Sequence, residues 1–382
     1  MTSKRRGDGE GSVFRRQDGR WVASISLGYE NGKRRRKAFY ADTRREVIAK
    51  KTAALRSIQQ GEPLSDDSVT VGGFLTRWLN DSAKPTLRPR SFASYEMIVR
   101  RHLVPVLGAS RLAKLRPAAV QAYMNAKLET GLSARSVQYH HAVLRRALNQ
   151  AVRWGIVTRN VASLVSPPRV IRPEVRPLTP EQARSFLDAA AGDPMEHLYA
   201  LALALGLRQG EALGLVWDDI DLDAGTLSVR RTLQRYGGAY HLDEPKTVRS
   251  RRTIGMPVQL VTVLRDRRRR QLEDRVKAGP IWNGDDWDLV FTNEIGEPLY
   301  GGTVTRRFQA LLKSSGLPRQ KFHDLRHATA SFMLAQMVPM RVVMEVLGHS
   351  QIHVTMDTYA HVMPDLQRDA TERVSATIFG AS

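Results

Sequence analysis

The 382-residue sequence predicts a multidomain, mainly α protein with small β-sheets: a three-stranded sheet plus helix, then a helical bundle, then an α+β domain. Three observations predict it. The chain is too long for one ordinary hydrophobic core. Strand-like alternation is confined to residues 12–40 and 226–257, while apolar residues elsewhere recur at three- and four-residue intervals. Charge is divided just as unevenly: residues 1–62 carry 16 Lys/Arg against 7 Asp/Glu, residues 63–171 carry 16 against 5, and residues 172–382 carry 27 against 26.

In the first segment, 1–62, "SVFRRQDGRWVASISLGYENGKRRRKAFY" breaks at Asp18-Gly19 and Asn31-Gly32, dipeptides that supply the positive φ of tight hairpin turns. A helix follows, opened by a capping box of Thr43 and Glu46 and stopped at Gly61. Trp21, Phe39 and Tyr40 are assigned to the core of this module. Arg34, Arg35, Arg36 and Lys37 on the third strand suit a sheet that enters a DNA groove.

Residues 63–157 read as about four helices punctuated by Pro85, Pro89, Gly108, Pro117 and Gly131. Arg88 and Arg90, with Arg100, Arg101, Arg145 and Arg146, are expected to meet phosphates, and His140 and His141 to be surface or groove residues. The stretch from 158 to 177 is too rich in proline for regular structure, so 158–171 is expected to be a linker and 172–382 the third domain. There Thr179-Pro180-Glu181-Gln182 opens a helix with a capping box. Strands run from Thr226 to Pro257 around a Gly237-Gly238 turn, helices return from His323, and the tail 364–382 is amphipathic at helical spacing.

Composition limits what such a chain does. With no cysteine it has neither a disulfide framework nor a thiolate metal site. No apolar run reaches membrane-spanning length and "MTSKRRGDGEG" lacks the apolar stretch of a secretion signal, so a cytoplasmic location is expected. A net charge of +21 points to a polyanion. Nucleic acid is favoured over a membrane surface, because no basic amphipathic helix has an exposed aromatic face.

"HDLRHATA" sets the chemical question. His323 and His327 stand four apart, the spacing of a zinc pair, but Arg326 projects about 60° around the helix from His323, where its fixed charge would oppose a bound cation. The acidic run "WDDIDLD" reads as a turn into a strand with no second acidic group facing it, and no phosphate-binding G-x-x-x-x-G-K-[ST] loop occurs. A metal-free route would neutralise a phosphate with guanidinium groups and take acids and bases from side chains. Four stretches supply them: "LGLRQGEALGL" around Arg208, "EPKTVRSRRTIGMP" around Lys246, "HDLRHATA", and "LGHSQIHVTMDTYAHV" with His349 and Tyr359.

In this order the four stretches resemble the catalytic boxes of the tyrosine recombinase, or phage integrase, family. The first two segments resemble the arm-type DNA-binding and core-binding domains of its integrase branch. The resemblance implies that Arg208 and Arg326 grip the non-bridging oxygens of a DNA phosphate, with His323 as donor or proton acceptor and His349 as donor. Lys246 would protonate the departing 5′ oxygen, Glu211 would hold the arginines, and Tyr359 would attack to leave a 3′-phosphotyrosine. His327 is assigned to packing or support. Two positions depart from the pattern: Leu205 stands where the family often has Thr or Ser, and Met337 where it often has Gly.

The implied function is site-specific recombination that integrates or excises a phage or mobile element, without cofactor or metal. The implied partners are double-stranded DNA with core and arm sites, a homotetramer assembled on it, a host DNA-bending protein and an excisionase, within a bacterial cytoplasm. The alternatives are a non-catalytic DNA-binding regulator, strand cleavage of the type IB topoisomerase kind, and a zinc hydrolase. The last suffers from Arg326 and from the missing Glu of H-E-x-x-H.

Overall fold

A computed structural model of the chain describes residues 11–30, 33–59, 68–171, 176–245, 250–348, 371–372 and 374–380. It divides into two compact units, Met1–Ile171 and Arg172–Ser382. The first unit opens with strands β1 (Ser12–Arg15), β2 (Trp21–Glu30) and β3 (Lys33–Ala41), antiparallel in that order, followed by helix α1 (Arg44–Gln59). Thr43 Oγ1 accepts from the Glu46 amide, the N-terminal half of the expected capping box. The pairs Trp21↔Ala41 and Ala23↔Phe39 lie on the face that packs against Val47. Tyr40, expected in that core, is instead 48% exposed. The cause is the two-residue period of a strand, which sends Tyr40 to the face opposite Phe39, beside Val22 and above Phe14. Asn31-Gly32 and Gly61 fall outside the described residues.

The bundle begins with α2 (Val71–Trp78), which runs through a π-helical turn, Leu79–Ala83, into α3 (Lys84–Thr86). Likewise α4 (Pro89–Ile98) runs through a π turn, Val99–Leu103, into α5 (Val104–Leu107). Each π turn precedes a proline, Pro85 or Pro105, by one residue, and that intervening residue donates five back, Lys84 to Leu79 and Val104 to Val99. Widening the helix accommodates the missing proline N–H, so the helix passes Pro85 and stops one residue later, at Thr86. Helices α6 (Pro117–Glu129) and α7 (Ala134–Arg153) complete the bundle. Val137, Leu144, Leu148 and Ala151 of α7 share a core with Phe74, Trp78 and Ile98.

Two expectations about this unit are corrected. His140 and His141 are buried, the first bonded through Nδ1 to the Tyr123 hydroxyl and the second donating from Nε2 to the Ala162 carbonyl, each with a partner that makes burial tolerable. The stretch from residue 158 is no free linker either: Asn160 caps a 3-10 helix, Val161–Leu164, and Val161, Ala162 and Val165 join the bundle core. Its prolines, Pro167 and Pro168, come only after this packed turn.

The second unit contains α8 (Pro180–Ala189), with the expected Thr179–Gln182 capping box, then α9 (Glu196–Leu205) and α10 (Gln209–Leu213). Strands β4 (Ile220–Asp221), β5 (Thr226–Val229), β6 (Thr232–Tyr236), β7 (Ala239–Asp243) and β8 (Arg252–Gly255) form an antiparallel sheet, β4-β5-β8, and a β6-β7 hairpin. Gly237 and Gly238 turn that hairpin at φ 60° and 86°, the left-handed pair a tight turn requires. Helices α11 (Val258–Ala278), α12 (Gly301–Ser314), α13 (Asp324–Ala335) and α14 (Met340–Leu347) follow. The core centres on α9, whose Tyr199 packs against Phe186, Phe308 and Phe322. In the tail, residues 371–372 and 374–379 are helical, with Val374, Ile378 and Phe379 exposed. Among the described residues no helix is long and apolar enough to cross a membrane.

Candidate active site

Helix α9 ends at Gly206, whose φ of 60° turns the chain sharply so that Arg208 becomes the N-cap of α10. A side chain at position 206 would also collide with Leu347, since an added Cβ would lie 2.5 Å from its Cδ2. One turn into α10, Glu211 reaches back to Arg208: Oε2 accepts from the Arg208 amide at 3.1 Å and Oε1 from Nη1 at 2.5 Å. This is the carboxylate half of a capping box, since an arginine in the cap position has no acceptor to offer the Glu211 amide.

Glu211 is nearly inaccessible, and its second partner is Arg252, whose Nη2 donates to Oε2 at 3.0 Å. Burial alone would push the carboxyl up; Arg252 and then Arg208 overcome that and hold it below the usual carboxylate range. Arg326 is 1% exposed, projecting from the first turn of α13. It donates from Nη1 to the Gly206 carbonyl at 2.8 Å and from Nη2 to the Leu347 carbonyl at 2.5 Å. Thr329, one turn on, ties the same helix to α9 by donating to the Leu203 carbonyl.

The three arginines converge on one short run of backbone, the C-terminal end of α14. Arg252 Nε donates to Val346 O, Arg326 to Leu347 O, and Arg208 Nη2 to Gly348 O. These are carbonyls a helix C-terminus leaves without intrahelical partners. Gly348 turns there at φ 65°, and its ideal Cβ would lie 3.0 Å from Arg252 Nη1, so glycine lets the guanidinium approach. His323 caps α13, with its ring 5.1 Å from that of His327 and nearly perpendicular. Crowding by protein around the ring, then His327, Arg326 and Arg208, push His323 down to about 4, against the weaker pull of Asp324. The residue keeps solvent-exposed surface and is neutral at pH 7.

Of the residues singled out from sequence, the structure thus brings Arg208, Glu211 and Arg326 together, with His323 and His327 at the head of the helix that carries Arg326. Lys246, His349 and Tyr359 lie outside the described residues, as do the side chains of Arg34 and Arg35. Arg36 is exposed on β3, Lys37 is half-buried there, and Arg88 and Arg90 are exposed at the start of α4, all in the other unit. Sequence reasoning missed Arg252. Strand alternation held the signal: Arg252 shares a face with buried Ile254, whereas Arg251 points away and is half-exposed.

The acidic run proves structural. Asp219 is buried against Arg231 at 2.6 Å with Arg230 at 3.7 Å, and Asp221 accepts from the Asp223 and Ala224 amides of its own turn. Among the described residues the one group with metal-ligand proximity is Glu196, His197 and Asp266. Arg270 already reaches Glu196 at 2.5 Å and Asp266 at 2.9 Å there, so the carboxylates are compensated by guanidinium.

Comparison with known proteins supplies the family. Residues 176–365 match the model of the "Phage integrase family", and residues 70–128 match "Phage integrase, N-terminal SAM-like domain". A tyrosine recombinase XerC-like protein of Caldanaerobacter subterraneus subsp. tengcongensis is 31% identical over 370 residues, 92% of this chain and 95% of that one. The Tn1549 transposon integrase, solved in complex with a circular intermediate DNA, superposes with a TM-score of 0.67 at 23% identity, covering 80% of this chain and 100% of that one. A lambda integrase tetramer bound to a Holliday junction gives a TM-score of 0.55 at 20% identity, over 89% and 95% of the two chains. The chain belongs to the phage integrase family of tyrosine recombinases, a family of DNA strand transferases.

Proposed function

We propose that this protein is a site-specific recombinase that cuts and rejoins double-stranded DNA through Tyr359, integrating or excising a phage or other mobile element. The observation that carries the reading is the convergence of Arg208 and Arg326, two permanent cations, on the adjacent carbonyls of Gly348 and Leu347. Guanidiniums keep their charge at every working pH and present planar donor forks that match phosphate oxygens. A phosphodiester entering the site supplies the acceptors they seek.

The phenol oxygen of Tyr359 forms a bond to phosphorus while the bond to the 5′ oxygen breaks, leaving a 3′-phosphotyrosine. Lys246 gives the departing oxygen its proton. Neutral His323, with His349, donates to the phosphate or takes the phenol proton. A tyrosine of ordinary pKa is only about 0.1% ionised at neutral pH, so the arginines matter twice: they stabilise the attacking phenolate and the five-coordinate phosphorus. The ester conserves the energy of the broken bond, and a 5′ hydroxyl from another strand reverses the step without nucleotide fuel.

Duplex contacts in the first unit fit a groove of about 650 Å³ along α7, lined by Arg135, Tyr139, Arg145, Arg146 and Asn149. The outer face of the N-terminal sheet, with Arg36 beside Tyr40, fits a second contact at arm sites. Two duplexes require four copies, and the exposed apolar residues Ile378 and Phe379 fit a tail that docks on a neighbouring copy. A host DNA-bending protein and an excisionase complete the assembly in the bacterial cytoplasm. The test incubates the protein with nicked duplex, whose short 5′-hydroxyl fragment diffuses away after cleavage. A denaturant-resistant adduct forms with the native chain and is absent with Tyr359→Phe. Binding without an adduct from either protein would mark a regulator instead.

A further inference from the structure

We propose that Arg252 is a positioning residue for strand cleavage: it takes a share of the Glu211 carboxylate, so that Arg208 faces the phosphate with its charge uncancelled. The inference rests on the reading of Arg208 as a phosphate-gripping group and adds a residue to it.

Glu211 is buried, and its two oxygens are divided: Oε1 accepts from Arg208 at 2.5 Å and Oε2 from Arg252 at 3.0 Å, while Oε2 also accepts the Arg208 amide at 3.1 Å. With Arg208 alone, the carboxylate would form a closed neutral pair and offer an incoming anion little net attraction. With Arg252 present, one negative charge is shared by two cations and the group carries a net positive charge. The low dielectric around a buried carboxylate makes that difference larger than it would be at the surface.

Arg252 is the inner of the two guanidiniums that share Glu211. Its side chain is 7% exposed, against 37% for Arg208, so Arg208 is the member of that pair that faces solvent. Every nitrogen of Arg252 is engaged: Nε with Val346 O at 2.6 Å, Nη1 with Ser250 O at 3.1 Å, and Nη2 with Glu211. Through these bonds β8, the flank of the segment that carries Lys246, is fixed to α10 and to the end of α14, which leads into His349.

The test is a cycle of Arg252→Met and Glu211→Gln, scored by the rate of covalent adduct formation on a nicked duplex selected from a random pool by its binding to the protein. In the native background, Arg252→Met slows adduct formation about a hundredfold and Arg252→Lys recovers part of the loss. In the Glu211→Gln background, Arg252→Met costs less than about threefold, because no carboxylate remains to cancel Arg208. An equal loss in both backgrounds would overturn the proposal, since a merely structural role through Val346 does not depend on the Glu211 charge. The same cycle is read as affinity for that duplex in the Tyr359→Phe background, where Arg252→Met weakens binding about fivefold and Glu211→Gln removes the effect. If the native chain formed no adduct yet the binding cycle kept its coupling, the cleavage reading would fall and the role of Arg252 would stand. If the binding cycle were additive, the role of Arg252 would fall whatever the adduct assay gave.

Discussion

The two ends of helix α9 carry two ionic clusters built from the same residue types to opposite purpose. At its start, Glu196 and His197 meet Asp266, Arg269, Arg270 and Glu273, and two arginines are set against three carboxylates. At its end, Arg208 and Arg252 share one carboxylate, Glu211, and Arg326 joins them in turning donors to backbone carbonyls. In the first cluster a guanidinium bridges each carboxylate and pins α9 to α11. The second carries a surplus of positive charge held by neutral acceptors, which an anion can displace. Surplus charge, not the mere presence of arginine, separates a site from a brace.

Substitution breaks the comparison most sharply. Arg326→Ala removes a cation from the surplus side and is expected to lower adduct formation by about a thousandfold or more. Asp266→Asn, in the bridging cluster, should leave that rate within about threefold and instead cost about 1–2 kcal/mol of stability in urea unfolding. Equal effects on cleavage from the two would erase the distinction.

Next in size is the corner between the clusters. Gly206→Ala must carry a side chain at φ 60° and press it on Leu347, so a loss of about 2–3 kcal/mol is expected by urea unfolding, together with slower cleavage because Gly206 O anchors Arg326.

A finer test is histidine titration. His323 is held near pKa 4 chiefly by the protein crowded around its ring and then by the charges of its own cluster, whereas burial pushes His197 down against the upward pull of Asp266 and Glu196. A base whose folded pKa lies below its unfolded value stabilises the fold fully above about 6.5 and loses that contribution as pH falls toward the folded value. Histidine NMR should find His323 neutral down to pH 5 in the free protein and titrating higher once duplex is bound. A midpoint near 6.5 without DNA would mean that the arginines do not act on it.

The smallest effect concerns two left-handed corners that bracket α14. Gly348 takes φ 65° freely, while Met337 holds φ 59° with a side chain attached. Met337→Gly should therefore stabilise the protein by about 1 kcal/mol in urea unfolding, with cleavage unchanged.

How far the sequence announced all this depends on the range of the interactions. Local rules were readable: the Thr179–Gln182 cap and the Gly237-Gly238 turn rest on neighbours in the chain, while the hold of Glu211 on Arg208 came with the family resemblance. Met337 stood out as a departure, and the backbone there adopts the conformation that glycine favours. What escaped depends on distant partners. The burial of His141 required the Ala162 carbonyl 21 residues away, and the same contact turned an expected linker into part of the bundle core. Arg252 looked like one more cation in a basic run, because its carboxylate lies 41 residues earlier and its carbonyl 94 residues later. Pro85 did mark a helix end, at Thr86, but the π turn that makes room for the proline was not legible in residue types.

The most direct measurement is a structure of the protein stalled on nicked duplex with Tyr359→Phe. The account predicts one phosphate within hydrogen-bond reach of both Arg208 and Arg326, at the head of α13, with Glu211 still held by Arg252. A phosphate bound elsewhere, with Arg208 and Arg326 still spent wholly on the carbonyls of residues 206, 347 and 348, would contradict it.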